Sequence, residues 1–352
     1  MKTIKFFFVI LLAAFVGACG GGGGGVGVPG GNSGGGSNGP IYTVTTLNLN
    51  PLSLTTPSGL TFDTNGNLYV ADTSVDLIKK IQNLSSTTPS VSSFLGGGGT
   101  DYNTCSGSKL YSPYGVAVDS TGTLYVAEQN KTDVRYADCT VGFGVSAVYG
   151  TGAALSGPSG IALSGNLLYV ADTGNNVIRL ITNNGVHSGV SSTFAGLGTN
   201  GYVDGASNIA VFSSPTGVAV SRSGDVFVTD TNNCVIRKIS AGQVSTFAGA
   251  GPTSCASADG TSTAAQFNHP SGIALDASDN LYVADTVSNK IRRITPQGVV
   301  TTVAGSGVSG SADGTGSSAT FNTPTGIAID ANGNVFVAEH ASGKIRKITV
   351  TP

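Results

Sequence analysis

The chain has 352 residues with 53 glycines, no tryptophan and 10% charged residues, and its formal net charge is −2. So few charges argue against a helical bundle or a coiled coil, whose surfaces are built from Glu, Lys and Arg. A disordered chain is disfavoured because 39% of the residues are apolar and the net charge is small. Without Lys2 and Lys5 the balance is 15 basic against 19 acidic residues, which leaves no basic excess for nucleic acid.

The N-terminus has the features of an export signal. Two lysines precede an apolar run over residues 6–16, which is too short to cross ~30 Å of hydrocarbon as a helix. The run ends in Val16-Gly17-Ala18-Cys19, which resembles a bacterial lipobox. The resemblance implies that residues 1–18 are a lipoprotein signal peptide and that Cys19 becomes the diacylated first residue. Ordinary signal-peptide cleavage at the same place is the alternative.

Residues 19–40 are predicted to form the lipidated Cys and a tether. Between residues 20 and 40 there are 13 glycines among 21 positions and no charge, so this stretch cannot bury a core and should be flexible. We therefore expect a lipid bilayer as a partner through Cys19, and a place in the bacterial cell envelope. Gly20 rather than Asp follows the cysteine, which favours the outer membrane where two membranes are present.

The remainder of the chain, residues 41–352, is one unit repeated six times. Each unit begins with Pro-x-Gly and continues with four short β-rich segments separated by Gly, Asn, Asp and Ser turns. The six glycines of this motif are Gly59, Gly115, Gly160, Gly217, Gly272 and Gly326. No segment has a sustained helical period, so the pattern predicts six four-stranded sheets.

These units predict an all-β, six-bladed β-propeller. The first strand of most units carries small residues, as an inner strand near the axis requires. The sixth unit lacks its fourth strand, and an unassigned strand at residues 42–47 precedes the first unit. Val44-Thr45-Thr46-Leu47 matches Val300-Thr301-Thr302-Val303 of a fourth strand. We therefore predict that the N-terminal strand completes the last blade and removes an exposed edge.

The repeated motifs resemble a known family. Pro-x-Gly-Ile-Ala-x-Asp, Asn-Leu-Tyr-Val-Ala-Asp-Thr and Ile-Arg-Lys-Ile, followed by Val-Thr-Thr and Ala-Gly, are similar to the NHL repeat. The resemblance covers about residues 41–352 and implies a six-bladed propeller. It implies less about activity, because NHL propellers include binding platforms, envelope sensor domains and a few enzymes.

Each unit has an acid at the end of its second strand and a base on its third. Six carboxylates in a ring could indicate a metal or acid–base site. Because the pairs recur in every unit, we predict structural, charge-assisted hydrogen bonds instead, and no catalytic residue and no metal site. The pairs are Asp72 with Lys79, Glu128 with Arg135, Asp172 with Arg179, Asp230 with Arg237, Asp285 with Arg292, and Glu339 with Arg346.

The histidines and cysteines complete the candidate residues. His269 and His340 are expected on one face and His187 on the other, so the three cannot share a zinc ion. Glu128-Gln129 and Glu339-His340 depart from the usual Asp-Thr and mark either a binding face or loop drift. Cys234 and Cys255 lie in neighbouring loops and are predicted to form a disulfide, which export permits. Cys105 and Cys139 are expected on opposite faces and unbridged.

These observations predict a membrane-tethered, extracytoplasmic binding or scaffold propeller that recognises an unknown protein or glycan. It would use the face with the long loops at residues 249–270 and 305–324, which carry little charge. No cofactor and no nucleic acid are expected. The alternative is a propeller enzyme of the lactonase or lyase type with a metal in its central channel.

Overall fold

Strands form where the repeat places its β-rich segments. The structure, a computed structural model, describes residues 40–49, 53–97, 109–137, 146–149, 151–152, 154–183 and 189–351. These residues form six sheets of four or five strands, which confirms the predicted all-β, six-bladed propeller. Cys19, Cys105, Cys139 and His187 lie outside the described residues. Within the described part, no helix is long and apolar enough to span a membrane.

Each blade runs from an inner strand at the axis to an outer strand. In blade 1 these strands are β2 (Pro57–Phe62), β3 (Leu68–Asp72), β4 (Leu77–Gln82) and β5 (Ser90–Gly96). In blade 2 they are β6 (Pro113–Val118), β7 (Leu124–Glu128), β8 (Val134–Ala137) and β9 (Ser146–Tyr149). In blade 3 they are β11 (Pro158–Ser164), β12 (Leu167–Asp172), β13 (Val177–Asn183) and β14 (Gly189–Ala195).

The last three blades repeat this order. In blade 4 the strands are β16 (Pro215–Val220), β17 (Val226–Asp230), β18 (Val235–Ser240) and β19 (Gln243–Ala248). In blade 5 they are β21 (Pro270–Leu275), β22 (Leu281–Asp285), β23 (Lys290–Ile294) and β24 (Val299–Ala304). In blade 6 they are β26 (Pro324–Ile329), β27 (Val335–Glu339), β28 (Lys344–Thr351) and, from the N-terminus, β1 (Ile41–Thr46).

The N-terminal strand closes the ring. β1 pairs antiparallel with β28 along its whole length, from Ile41 opposite Thr351 to Thr46 opposite Arg346. Val44 is 1% exposed and packs in the core between blades 5 and 6. This pairing confirms the predicted completion of the last blade and covers the edge that β28 would otherwise expose.

Four blades carry a short fifth strand that the repeat pattern did not predict. These two-residue strands come from the segments between blades and pair with the outer strand. They are β10 (Thr151–Gly152), β15 (Gly205–Ala206), β20 (Gly260–Thr261) and β25 (Gly314–Thr315). Because β25 pairs with β1, the loop between blades 5 and 6 also holds the N-terminal strand in place.

The core lies between blades. Apolar side chains form six clusters, and each cluster joins two neighbouring sheets. At the seam between the last and the first blade, Phe336 and Ile345 pack against Leu60 and Leu68. The seam is therefore packed like the other five junctions. Because each sheet is covered on both faces, the strand sequences are continuous apolar runs and do not alternate between apolar and polar residues.

The glycines of the six Pro-x-Gly motifs surround the axis. A Cβ atom on any of them would overlap a carbonyl oxygen of the next inner strand, so only glycine allows the strands to come this close. At the seam, a Cβ on Gly326 would meet the carbonyl oxygen of Ser58. The motif is thus required by the close approach of six inner strands.

Candidate binding face

One face of the propeller carries two kinds of loop, those from second to third strands and those between blades. We call it the loop face. The two kinds of loop are hydrogen-bonded to each other: the Val287 N–H donates to the Asn268 carbonyl, and the His340 N–H donates to the Thr323 carbonyl. All six acids at the ends of the second strands lie at this face.

The structure brings each predicted acid together with its predicted base. The nitrogen–oxygen distances of the six pairs are 2.7 to 3.0 Å. All six carboxylates are fully buried, and Arg237, Arg292 and Arg346 are also fully buried. Charges so far from water require this pairing and further hydrogen bonds.

Those further hydrogen bonds go to the loop that enters the blade. In every blade the acid accepts the backbone N–H of the residue two positions before the Pro-x-Gly proline, as Glu128 does from Tyr111 and Asp230 from Ser213. In five blades the base donates to the carbonyl four positions before that proline, as Arg135 does to Lys109. The pairs therefore fasten each incoming loop to its own blade.

Three of the bases have a second acid that the sequence analysis did not assign. The acid is followed by a glycine, and Asp-Gly is a sequence typical of a turn. The nitrogen–oxygen distances are 2.6 to 2.8 Å, and each guanidinium also lies over a phenylalanine ring, 5.0 to 5.2 Å from its centre. The sets are Arg237 with Asp204 and Phe212, Arg292 with Asp259 and Phe267, and Arg346 with Asp313 and Phe321.

Burial and pairing act in opposite directions on these acids. Burial raises the pKa of Asp230 to about 6, although hydrogen bonds from Asn233 and Ser213 and the charge of Arg237 oppose the rise. For Asp259, burial is outweighed by hydrogen bonds from Thr302 and by the charge of Arg292, so its pKa is lowered. Burial therefore disfavours the ionised form of Asp230, whereas the surroundings of Asp259 favour its ionised form.

The central channel is narrow at the loop face and wider at the opposite face. Its loop-face end holds about 70 Å³, and the other end holds about 360 Å³. The smaller volume has room for about two water molecules and lies well below the ~300 Å³ of an ordinary ligand pocket. The residues that line the two ends are Gly, Ala, Ser, Thr and aliphatic or aromatic residues, without a charged side chain among them.

The two departures from Asp-Thr both make contacts between blades. In four blades the threonine hydroxyl donates to the proline carbonyl of the next blade, as Thr286 does to Pro324 at 2.8 Å. His340 donates a ring N–H to Pro57 instead, its Nδ1 is buried without a partner among the described residues, and burial lowers its pKa. Gln129 approaches the Ser159 hydroxyl at 3.5 Å.

His269 and His340 lie on the loop face, in different blades. The ring of His269 is hydrogen-bonded to the neighbouring Asn268 side chain at 2.8 Å. Among the residues that the structure describes, no three His, Cys, Asp or Glu side chains are placed to hold a metal ion.

Cys234 and Cys255 are joined in a disulfide, with their Cα atoms 5.4 Å apart. Cys234 is in the left-handed conformation. In blades 3 and 5 the equivalent residues, Asn176 and Asn289, use their side chains to cap the N–H before the next Pro-x-Gly. The disulfide thus occupies a position that serves elsewhere as a link between blades.

The loop face of blade 2 differs from that of the other five. Four positions before its proline lies Lys109, where the other blades have Ser53, Ala154, Val211, Gln266 and Thr320. Two before the proline lies Tyr111, where the others have Thr55, Ser156, Ser213, Asn268 and Asn322. Three after the acid lies Lys131, where the others have Val75, Asn175, Asn233, Ser288 and Ser342.

These three residues meet. The ammonium groups of Lys109 and Lys131 lie 5.0 and 4.3 Å from the ring centre of Tyr111. The Arg135 guanidinium is 5.9 Å from the same ring and is paired with Glu128 at 2.7 Å. This cluster was not predicted from the sequence, although a signal for it is present: two lysines and a tyrosine stand at positions that are uncharged in every other repeat.

A second carboxyl group lies beside the acid of blade 2. Burial raises the pKa of Glu128 to about 7; Arg135 and the Tyr111 N–H oppose the rise, and Asp133 adds to it. The negative charge of Asp133 opposes ionisation of Glu128, in the same direction as burial does. Glu128 therefore carries less negative charge near neutral pH than an ordinary carboxylate, and the three cations around Tyr111 leave its surroundings net positive.

The loop between blades 3 and 4 carries exposed apolar side chains. Leu197, Val203 and Ile209 are 58%, 48% and 55% exposed. The two following loops have the same internal structure but carry smaller or polar residues at these positions. Those residues are Ala250, Ala258 and Ala264 in one loop, and Ser306, Ala312 and Ser318 in the other.

Six sheets around an axis, fastened by one acid–base pair per blade, define a six-bladed β-propeller. Residues 155–179, 212–239 and 267–294 match the NHL repeat family, and residues 45–71 match a family described as β-propeller repeat. The chain thus contains NHL repeats and forms a six-bladed β-propeller, as its motifs predicted.

Relatives and similar structures agree on the repeat and the fold. NHL repeat-containing protein 2 of Bos taurus is 28% identical over an alignment of 283 positions that covers 68% of this chain and 39% of that protein. The chain thus spans about two fifths of that relative's length. An auxiliary nutrient binding protein from Bacteroides ovatus superposes with a TM-score of 0.65 at 18% identity, over 88% of this chain and 77% of that one. Virginiamycin B lyase from Staphylococcus aureus gives 0.54 at 16% identity, over 88% and 100%.

Proposed function

We propose that this protein is a binding propeller of the bacterial cell envelope that recognises a protein or glycan with its loop face. The observation that carries the proposal is the blade 2 cluster of Lys109, Tyr111 and Lys131. A repeated structural frame needs the same residues in every blade, whereas a binding site needs particular residues in one place. The auxiliary nutrient binding protein with the same fold supports a binding role for such propellers.

Attachment to the membrane is part of the proposal and rests on the lipobox-like residues 16–19. The expected anchor is Cys19, followed by a flexible glycine-rich tether that would let the propeller turn towards a ligand. Substitution Cys19→Ala should release the protein from the membrane fraction or stall its processing. Membrane association of that variant that still requires detergent would contradict the anchor.

Binding can be tested with the full chain in detergent against a panel of glycans and proteins. We expect ligands whose binding is lost in a loop-face variant, Lys109→Gln with Lys131→Gln or Leu197→Asn with Ile209→Asn. A matched variant away from that face, Lys80→Gln with Lys347→Gln, should bind like the wild type. A panel without any ligand that depends on the loop face would refute the proposal.

The same panel tests the catalytic alternative. The channel lining has hydroxyl and backbone groups but no charged side chain, so it supplies no acid–base pair for lactonase or lyase chemistry. Turnover of a panel compound, sensitive to a chelator and abolished by one channel substitution with the fold intact, would replace binding by catalysis.

A further inference from the structure

We infer that the loop face of blade 2 binds a uronic acid unit of an acidic glycan, with Lys109 and Lys131 meeting its carboxylate and Tyr111 its ring. The inference rests on the proposed binding function and names the ligand class of that face.

The side chains of the cluster are not part of the hydrogen-bonded frame that recurs in the blades. The Tyr111 N–H donates to Glu128 and the Lys109 carbonyl accepts from Arg135, at 2.6 and 2.9 Å, as their counterparts do in other blades. These bonds use backbone atoms, so any residue could make them. The two lysine side chains and the tyrosine ring contact one another but take no part in these frame bonds.

The two lysines bring like charges close together. Neither Lys109 nor Lys131 forms an ion pair with a carboxylate of the described residues, yet both approach one ring and lie within a Debye length of each other, ~10 Å at 0.1 M salt. Two like charges at this separation repel. An anion that contacts both ammonium groups would offset this repulsion, so the cluster is suited to bind an anion.

The charge of the cluster fits a carboxylate better than a phosphate. Arg135, the group suited to bidentate phosphate recognition, is already committed to Glu128 and to the Lys109 carbonyl. The two lysines act as point charges, and Glu128 with Asp133 lowers the positive potential behind them. A single carboxylate matches this modest charge better than a phosphate with two charges does.

The surroundings of the lysines favour a sugar as the rest of the ligand. Tyr111 is partly exposed, and its chain neighbour Ser112 has a hydroxyl that accepts a hydrogen bond from the amide of Asn130, which precedes Lys131. A sugar ring has an apolar face that can pack on an aromatic ring, and hydroxyls that pair with amides. An acidic peptide would use the lysines but would have no such use for the ring.

Titration calorimetry with trigalacturonate tests the inference on the full chain in detergent. We expect binding that weakens at least ten-fold in Lys109→Gln with Lys131→Gln, and also in Tyr111→Ala. Lys80→Gln with Lys347→Gln removes the same charge away from the loop face and should leave the affinity unchanged. A neutral trisaccharide should not bind, and rising salt should weaken the acidic ligand. Melting curves establish that each variant is folded.

Equal binding of triglutamate would overturn the glycan assignment, because charge alone would then explain recognition. Unchanged affinity in the double lysine variant would overturn the location. If trigalacturonate does not bind while another panel ligand is lost in the same variant, the ligand class is wrong and the binding function stands. If no panel ligand depends on the loop face, the proposed function itself fails.

Discussion

Arg237 and Lys238 are neighbours on β18, and their substitution separates a buried ion pair from an exposed one. Arg237 is 0% exposed and donates to Asp230 and to the carbonyls of Val203 and Val211. Lys238 pairs with Asp225 at 2.8 Å, with side chains 31% and 21% exposed. We predict that Arg237→Met destabilises the propeller strongly and in a pH-dependent way, and that Lys238→Met does neither.

The size of the expected loss in unfolding free energy follows from the buried groups that lose Arg237 as a partner. Burial raises the pKa of Asp230 to about 6 even beside Arg237. Without the guanidinium the carboxyl stays protonated to higher pH, so the loss grows by about 1.4 kcal/mol per pH unit above 6, or ~2.7 kcal/mol at pH 8. Two carbonyls also lose their donor, at about 1 kcal/mol each. The total at pH 8 is ~4–5 kcal/mol, within the range found for broken buried pairs.

The sign of the pH effect is fixed by the direction of the shift. The folded variant holds a proton on Asp230 that the unfolded chain releases near the ordinary value of 3.8, so its stability falls as the pH rises. The loss should therefore be ~2–3 kcal/mol smaller at pH 5.5 than at pH 8. Lys238→Met removes only a surface pair and should cost no more than about 1 kcal/mol at either pH.

Thermal unfolding followed by far-ultraviolet circular dichroism measures these differences, since the chain has no tryptophan for fluorescence. For a propeller of this size, a loss of ~4 kcal/mol corresponds to a melting temperature lower by about 6 °C. Equal losses for the two variants, or a loss for Arg237→Met that is the same at pH 5.5 and 8, would refute the argument.

Three further experiments test the ring. A chain that begins at residue 50 should melt at a lower temperature and self-associate, because β28 then exposes unpaired backbone groups; melting like that of a chain beginning at residue 41 would contradict this. Gly326→Ala should lower the melting temperature, since its Cβ would overlap the Ser58 carbonyl, whereas unchanged melting would show that the inner strands can part. Peptide mapping without reductant should recover Cys234 linked to Cys255, a bridge worth ~3 kcal/mol; free thiols at both would reject it.

The architecture could be predicted because each unit repeats the same information. Six Pro-x-Gly motifs, four β-rich segments per unit and a missing last strand leave few folds to consider. The N-terminal strand could be placed because Val44, Thr45 and Thr46 occupy the register that Val300, Thr301 and Thr302 have in blade 5. Because the unit is repeated, the pairing of β1 with β28 could be predicted by comparing two short segments.

The features that could not be predicted depend on the third dimension. Asp204, Asp259 and Asp313 each sit before a glycine, a pattern that indicates a turn, and nothing in the chain shows that the turn brings them to an arginine 33 residues later. Tyr111 and Lys131 come from different loops that meet only after blade 2 has formed. The repeat pattern predicts the residues that all blades have in common. The candidate site is formed by residues that only blade 2 has.

The pairing of β1 with β28 also constrains the order of folding. The chain is made from its N-terminus, so the first strand to appear, Ile41–Thr46, must wait for a partner that ends at Thr351. Five blades can form from neighbouring segments as they emerge, but the sixth requires the finished chain. Until then the backbone groups of β1 are unpaired, and β1 can pair with any exposed strand edge that it meets. Fast capture by β28 at the end of synthesis, or protection before that moment, is therefore a condition for a high yield of the folded protein.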